Sequence, residues 1–162
     1  MPYGSGVNAF ISMFEDCSLL NNVPYELPAT TLADQCYMCM FEGCTSITKT
    51  PILYSTSLFN TCYKRMFYDC SSLSEIKTYE NRITSGTGSY KALWVKNVST
   101  NGNFYLTATA FNNNSLCYGD NGIPSNWTLR DISTNKIYET LSFTNSVVDV
   151  SVMDTSTYTG SV

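Results

Sequence analysis

The chain has 162 residues, of which 43% are hydrophobic and 14% aromatic, so it is long enough to bury a core of its own. It contains no histidine, which removes the commonest general base, the commonest zinc ligand and every histidine-activated nucleophile. Nine basic residues stand against thirteen acidic ones without any basic cluster, so we expect no nucleic-acid partner, because such partners require cations placed against phosphates.

Hydropathy gives no sign of a membrane span. A span needs roughly eighteen consecutive apolar residues, and no segment has them. The opening residues, "MPYGSGVNAF", also lack the basic start and the apolar stretch of a secretory signal. We therefore expect no membrane span and no export that depends on a signal in this sequence.

The first predicted elements are copies of a single nine-residue pattern. The copies read "AFISMFEDC" at 9–17, "CYMCMFEGC" at 36–44 and "CYKRMFYDC" at 62–70, and their central methionines, Met13, Met40 and Met66, give periods of 27 and 26. A fourth, degenerate copy, "SYKALWVKN" at 89–97, places Leu93 one further period after Met66. A period of this length indicates a repeat architecture.

Each copy has the apolar spacing of an amphipathic helix. In the second copy Cys36, Met40 and Cys44 fall at i, i+4 and i+8, and Tyr37 and Phe41 form a second pair beside them. The pattern predicts a short helix in every copy, with one apolar side turned towards the core. The predicted core residues are Met13, Phe14, Cys17, Cys36, Met40, Phe41, Cys44, Cys62, Met66, Phe67, Cys70, Leu93 and Trp94.

The linkers between the copies predict short strands. Pro24 and Pro51 each stand seven residues after the last cysteine of a copy, and a proline at a fixed phase suits strand edges and turns. A short helix and a short strand cannot bury their apolar side alone. We therefore predict an α/β solenoid in which units of this period stack into one continuous core.

These residues resemble the BspA-type leucine-rich repeats, in the variant built on "CYxxMFxxCxSLxxxPxLPATTL", over roughly residues 9–98. Proteins of that family are surface proteins of gut and oral bacteria and proteins of their phages. The segments "LWVKNVSTNGNFYL" at 93–106 and "GIPSNWTLRDI" at 122–132 resemble the family's closing segment, with Asn126 and Leu129 in place of a glycine and a valine. The resemblance implies a leucine-rich-repeat-like solenoid over 1–98 and a role at a surface.

Residues 99–162 are predicted to form a small β-rich cap at the C-terminal end. A solenoid needs such a cap because its last repeat otherwise presents an open apolar end and unpaired strand edges. Within this region "IYETLSF" and "SVVDVSV" have strand composition, and the "TN" between them predicts a hairpin.

Five of the seven cysteines follow the repeat, and we interpret them as core thiols that pack where units stack closely: Cys17, Cys36, Cys44, Cys62 and Cys70. Two alternatives stay open: disulfides between equivalent cysteines of neighbouring units, and a metal at Cys36, Cys39 and Cys44. The metal is disfavoured because a helix with Cys36 and Cys44 on its apolar side turns Cys39 away. Cys39 has Ser12 and Arg65 as counterparts and is predicted to be an exposed thiol.

Carboxylates are the remaining candidates for chemistry. The candidates for a glycosidase-like acid and base pair are Glu15, Asp16, Glu42 and Asp69. They recur at the ends of the copies, which favours a solvated surface. Asp120 stands in a "DNG" turn without the alternating ligands of a calcium loop. We expect neither an enzyme nor a cofactor or metal site.

Function is therefore predicted from architecture and from tyrosines outside the apolar stripe. Tyr25, Tyr54 and Tyr68 are the predicted partner-binding residues, since exposed tyrosines offer stiff, amphipathic contact area. The first hypothesis is an extracellular adhesion module, on a cell or virion surface, that binds a host protein, a glycan or a cell envelope. The second is a structural component of a phage virion or tail fibre, in which the chain packs against neighbouring subunits as an oligomer.

Overall fold

The computed structural model describes residues 6–81, 89–112 and 116–138, and one parallel sheet runs through them. Its strands are β1 (Glu26–Leu27), β2 (Lys49–Leu53), β3 (Glu75–Thr78), β4 (Asn103–Leu106) and β5 (Thr128–Asp131). Each strand pairs in parallel with the next one along the chain. Five strands in chain order require four turns of the chain between them, so the fold is a β-solenoid and the predicted solenoid is confirmed.

The predicted helix in each copy is wrong. Residues 9–16, 36–43 and 62–69 form successive turns, and the fourth copy begins with the 3₁₀ helix Ser89–Lys91 and continues as turns. The α-helix that the described residues do contain, α1 (Ala108–Asn112), lies outside the copies. We name the stretches 6–17, 33–44, 59–70 and 89–98 the first to fourth turn segments.

Hydrogen bonds within the second turn segment explain why no helix forms. The amides of Cys36, Met38 and Met40 each donate to the carbonyl three residues earlier, so four-residue turns overlap along the segment. Cys39 and Gly43 have positive φ, at 55° and 72°, and each is the third residue of such a turn. A left-handed residue at every fourth position prevents a continuous right-handed helix.

The other amides of a turn segment bond to the next segment. Tyr37, Cys39 and Phe41 donate to carbonyls of the third segment, with N···O distances of 3.1, 2.9 and 3.0 Å. The first segment donates to the second, and the third donates to the fourth, in the same manner. The backbone is thus paired on two sides of the solenoid, by the sheet and by the turn segments.

Two columns of aromatic rings fill the space behind the turn segments. In one column the rings of Phe14, Phe41 and Phe67 lie parallel, with centroids 5.4 and 5.6 Å apart. The other column contains Phe10, Tyr37, Tyr63 and Trp94. The predicted core positions that are buried are Cys36, Met40, Phe41, Cys44, Cys62, Met66, Phe67, Cys70 and Trp94.

The predicted core residues of the first copy are less buried than expected. Met13 is 56% exposed, Cys17 is exposed and Phe14 is half-buried. These residues lie in the first turn segment, which has a stacked neighbour on one side only among the residues that the structure describes. Core placement was therefore wrong for Met13 and Cys17, although their spacing within the repeat is correct.

Leu93 was also placed one position out of phase. It is half-buried and has φ of 56°, like Arg65 at 53°, so it stands at a turn position and not at the core position of Met66. Trp94 occupies that core position instead. Glu75 of β3 pairs with Asn103 of β4, and these two residues are one position further apart in the sequence than Met66 and Leu93.

The sheet continues past residue 98, because β3 pairs with β4 and β4 with β5. The predicted β-rich region thus begins with two further strands of the solenoid sheet. Pro51 lies in β2 where the register with β3 shifts, which suits a residue without an amide hydrogen. The predicted hairpin falls almost entirely within 139–162, outside the described residues.

No helix in the described parts of the chain has both the length and the apolar composition needed to cross a bilayer.

Candidate binding face of the sheet

Side chains of the sheet alternate between the core and the surface. Ile76, Phe104 and Leu129 are buried, whereas the residues that follow them, Lys77, Tyr105 and Arg130, are partly exposed. Pairing between the strands puts the partly exposed residues in rows that run along the solenoid. The outer sheet face consists of the row Ile52, Lys77, Tyr105 and Arg130 and the row Lys49, Glu75, Asn103 and Thr128.

Contacts within the outer sheet face hold its long side chains in place. Lys77 Nζ lies 2.9 Å from Glu75 Oε1 and 4.8 Å from the ring centroid of Tyr105. Arg130 donates from Nε to Asn103 Oδ1 at 2.7 Å. A surface that is already ordered loses less conformational freedom when a partner binds to it.

Tyrosines extend this face beyond the ends of the strands. Tyr54 follows β2 and Tyr79 follows β3, and their rings stack with centroids 4.9 Å apart and an interplanar angle of 8°. Burial and the nearby Glu26 carboxylate raise the pKa of Tyr54 above its usual range. Tyr25, just before β1, is 80% exposed.

A shallow cavity lies where the segment before β1 meets the outer sheet face. It has a volume of about 250 Å³ and is lined by Pro24, Tyr25, Lys49, Ile52 and Lys77, among others. Its wall combines the Tyr25 ring and apolar side chains with two lysines, one of which, Lys77, is paired with the Glu75 carboxylate in the same wall. Such a wall can contact an amphipathic partner with both stacking and charge-assisted hydrogen bonds.

The structure divides the three tyrosines that were predicted to bind a partner. Tyr25 and Tyr54 lie on the sheet side, whereas Tyr68 lies in the third turn segment. The Arg65 guanidinium sits 4.3 Å from the Tyr68 ring centroid and also pairs with Glu42. Tyr68 is thus half-buried in a contact within the chain.

Sequence reasoning missed Lys77, Tyr105 and Arg130 as members of the outer sheet face. The signal was present in "EIKT" and "NFYL", in which buried positions alternate with partly exposed ones along each strand. These segments lie in the linkers between the copies. The linkers could not be aligned with one another by sequence, because the number of residues between successive strands varies from unit to unit.

The buried cysteines are packed thiols with raised pKa values. Burial raises the pKa of Cys36 and Cys44 to about 11 and that of Cys62 to about 12. The Cys44 thiol donates to the Phe14 carbonyl at 2.9 Å, and the equivalent Cys70 thiol donates to the Phe41 carbonyl at 3.0 Å. All seven cysteines are free thiols, so the disulfide alternative is not realised in this structure.

Cys39 was predicted to be exposed but is half-buried. Burial, together with a hydrogen bond to Glu42 and the charge of that carboxylate, raises its pKa to about 12. It stands at a left-handed turn position, and the charges of Glu15 in the first turn segment and Arg65 in the third also act on its thiol.

Two of the four carboxylates considered for catalysis, Glu42 and Asp69, are engaged in contacts between turn segments. Glu42 pairs with Arg65, and Asp69 Oδ1 accepts a hydrogen bond from Asn97 Nδ2 at 2.6 Å. Within residues 6–81, 89–112 and 116–138, no three acidic, cysteine or histidine side chains converge on a point that could hold a metal.

In comparisons with known proteins, no family model, no curated protein and no solved structure matches the chain.

Proposed function

We propose that the chain is a non-catalytic recognition module that binds a host protein, a glycan or a cell envelope through the outer sheet face and its neighbouring tyrosines. The observation that carries this proposal is the set of ordered aromatic and charged side chains at Tyr54, Lys77 and Tyr105, next to the exposed Tyr25. Solenoids present extended surfaces on which partners of many kinds can bind.

The resemblance of the turn segments to BspA-type repeats supports an extracellular location, on a bacterial or virion surface. Aromatic residues on a rigid backbone support adhesion, because they bury a large area with little loss of side-chain freedom. The partner class stays broad, since the same surface chemistry suits a protein loop and a saccharide.

The experiment is a binding screen on glycan and matrix-protein arrays, followed by affinity measurements on variants. Tyr25→Ala combined with Tyr54→Ala should weaken the best binder by about tenfold or more, because contact residues at the centre of a site carry most of its energy. Tyr68→Ala is the matched control on the turn side and should change the dissociation constant less than about twofold. Equal effects of the two variants, or no binder at all, would reject the proposal.

A second candidate function is a structural component of a virion or tail-fibre assembly. It is favoured by the exposed apolar side chains of Val7 and Met13 in the first turn segment. Light scattering distinguishes the two candidates, since a stable monomer supports a free-standing module and a trimer supports an assembly component.

A further inference from the structure

Asparagine followed by glycine occurs twice in the chain, at Asn101–Gly102 and at Asn121–Gly122. In this dipeptide the amide nitrogen of the glycine can attack the side-chain carbonyl carbon of the asparagine, because no side chain on the glycine obstructs the approach. The reaction requires an asparagine side chain that can turn towards the backbone and a glycine amide that is not held in a hydrogen bond. The two dipeptides differ in both respects.

Both reacting groups of Asn121–Gly122 are held by hydrogen bonds. The side-chain oxygen Oδ1 of Asn121 accepts from the Leu93 amide at 2.7 Å. The amide of Gly122 donates to the Gly119 carbonyl at 3.0 Å. Attack at this dipeptide therefore requires a local opening that breaks both bonds, and the free energy of that opening lowers the rate.

Neither reacting group of Asn101–Gly102 is held in this way. Asn101 is exposed, and its side chain donates from Nδ2 to Thr100 Oγ1 at 3.5 Å, a distance beyond the usual range for such a bond. The Gly102 amide donates to no acceptor within residues 6–81, 89–112 and 116–138. The attacking nitrogen is thus available, and the asparagine side chain can rotate to meet it.

Packing explains why a glycine stands at position 102. A Cβ atom there would lie 2.4 Å from the Ser74 carbonyl oxygen and 2.8 Å from Cε2 of the Trp127 ring, closer than non-bonded atoms approach. The Gly102 carbonyl also accepts a hydrogen bond from the Thr128 amide at 2.9 Å. The backbone at Gly102 thus lies against the residue before β3 and bonds to the first residue of β5.

We propose that Asn101 is a site of spontaneous deamidation, whereas the fold protects Asn121 from the same reaction. The Gly102 nitrogen forms a bond to Cγ of Asn101, the bond from Cγ to Nδ2 breaks, and ammonia leaves with the proton of the Gly102 amide. One water molecule then opens the cyclic imide at either of its carbonyls. The products are aspartate, which keeps the native backbone, and isoaspartate, in which the main chain runs through the side-chain carbonyl.

Isoaspartate lengthens the main chain by one carbon atom immediately before Gly102 and β4. The extension displaces the Gly102 carbonyl from the Thr128 amide. It also shifts Asn103, whose Oδ1 accepts the hydrogen bond from Arg130 Nε at 2.7 Å. The modification thus acts on the outer sheet face, although Asn101 lies outside the two rows of that face.

The test follows both dipeptides in the full native chain during incubation at mildly alkaline pH. Tandem mass spectrometry measures the conversion of each asparagine to the acid, and we expect Asn101 to convert at least about tenfold faster than Asn121. Incubation in denaturant is the control, since the unfolded chain exposes both dipeptides and should bring the two rates within about threefold. Native rates within about twofold of each other, or a faster rate at Asn121, would overturn the proposal.

A second experiment tests the consequence for the sheet. The isoaspartate form, separated by chromatography, should unfold at least about 2 °C below the unreacted chain. Asn101→Gln, whose longer side chain disfavours ring closure, is the matched control and should keep its unfolding temperature over the same incubation. An isoaspartate form that unfolds together with the unreacted chain would contradict the effect on β4, and an equal loss in Asn101→Gln would place the reaction at another residue.

Discussion

The reactivity of single thiols separates two interpretations of Cys39. The sequence interpretation expects fast labelling, whereas the structure has a half-buried thiol with a pKa of about 12 beside the Glu42 carboxylate. Because the thiolate is the reactive form, Cys39 should label at least about tenfold more slowly than exposed Cys17 near pH 8. Mass-spectrometric labelling kinetics measure this ratio.

Burial is the main cause of the raised pKa of Cys39, and the Glu42 carboxylate adds to it, so Glu42→Gln should accelerate Cys39 labelling and leave Cys17 unchanged. Glu15→Gln serves as the weaker control, since Glu15 is a smaller contributor to the same shift. Cys39 labelling as fast as that of Cys17 in the native chain would restore the exposed-thiol interpretation.

A pH dependence follows from Asp131, whose side chain accepts hydrogen bonds from Ser133, Tyr138 and Thr134. These bonds hold the pKa of Asp131 well below its usual range. A lowered folded-state pKa contributes stability above the ordinary aspartate pKa, and that stability is lost as the pH falls through the folded value.

Asp131→Asn should therefore lower the unfolding temperature at about pH 7, and the difference from the native chain should shrink below about pH 3. Thermal unfolding at several pH values measures it. Asp120→Asn, at an exposed turn position, is the control and should give no such trend. A difference that stays constant with pH would show that the carboxylate charge is not what these bonds stabilise.

At the scale of elements, the turn segments explain both the success and the failure of the sequence analysis. Paired four-residue turns that repeat every four residues place i, i+4 and i+8 on one side, as a helix does, so the core positions were predictable. The spacing did not distinguish turns from a helix. Residue type did carry a signal for turns, because Asn, Asp and Gly tolerate positive φ, and this is the conformation of Asp16, Gly43, Asp69 and Asn97.

Thr61 is strained by the same turn geometry. It is β-branched with φ of 54°, and its buried Oγ1 finds no hydrogen-bond partner in the described residues. Thr61→Gly should raise the free energy of unfolding by about 1 kcal/mol, because glycine accepts this φ without steric cost. Thr48→Gly, where φ is not positive, should lower it, and urea denaturation measures both.

The ring columns allow a second comparison between elements. Phe41 is stacked on both sides and fully buried, whereas Phe14 is half-buried. Phe41→Ala should cost about 3–5 kcal/mol of stability, the range for a large buried side chain, and Phe14→Ala clearly less. Similar costs at the two sites in urea denaturation would contradict the placement of Phe14 at the end of its column.

At the scale of the whole molecule, each turn segment contacts its nearest neighbours, so stability should vary along the stack. The second and third segments have neighbours on both sides, and the first has one among the described residues. Amides of the first segment such as Phe10 should exchange with deuterium at least about tenfold faster than the equivalent Tyr37. Uniform protection across the segments would indicate that the whole stack opens as one unit.

The overall architecture was the most predictable feature of the chain, since copies at a fixed period that cannot bury their own cores must stack. The extent of the sheet was less predictable. The units containing Phe104 and Trp127 no longer carry the cysteine and methionine pattern, yet β4 and β5 continue the same sheet. Parallel pairing requires only alternation in register, and the spacing between paired strand residues is unequal. The number of residues between paired positions differs among the pairs Glu26–Ile52, Glu75–Asn103 and Asn103–Thr128. A search for one fixed period therefore does not find the later strands.

The one-way bonding between turn segments also makes the solenoid electrically polar. Every such bond has its amide on the earlier segment and its carbonyl on the later one, so the peptide dipoles add along the axis. Partial negative charge collects at the first segment, the reverse of an α-helix, whose N-terminal end is positive. Lysine or arginine side chains, or a bound cation, should therefore favour the end where the chain enters the stack.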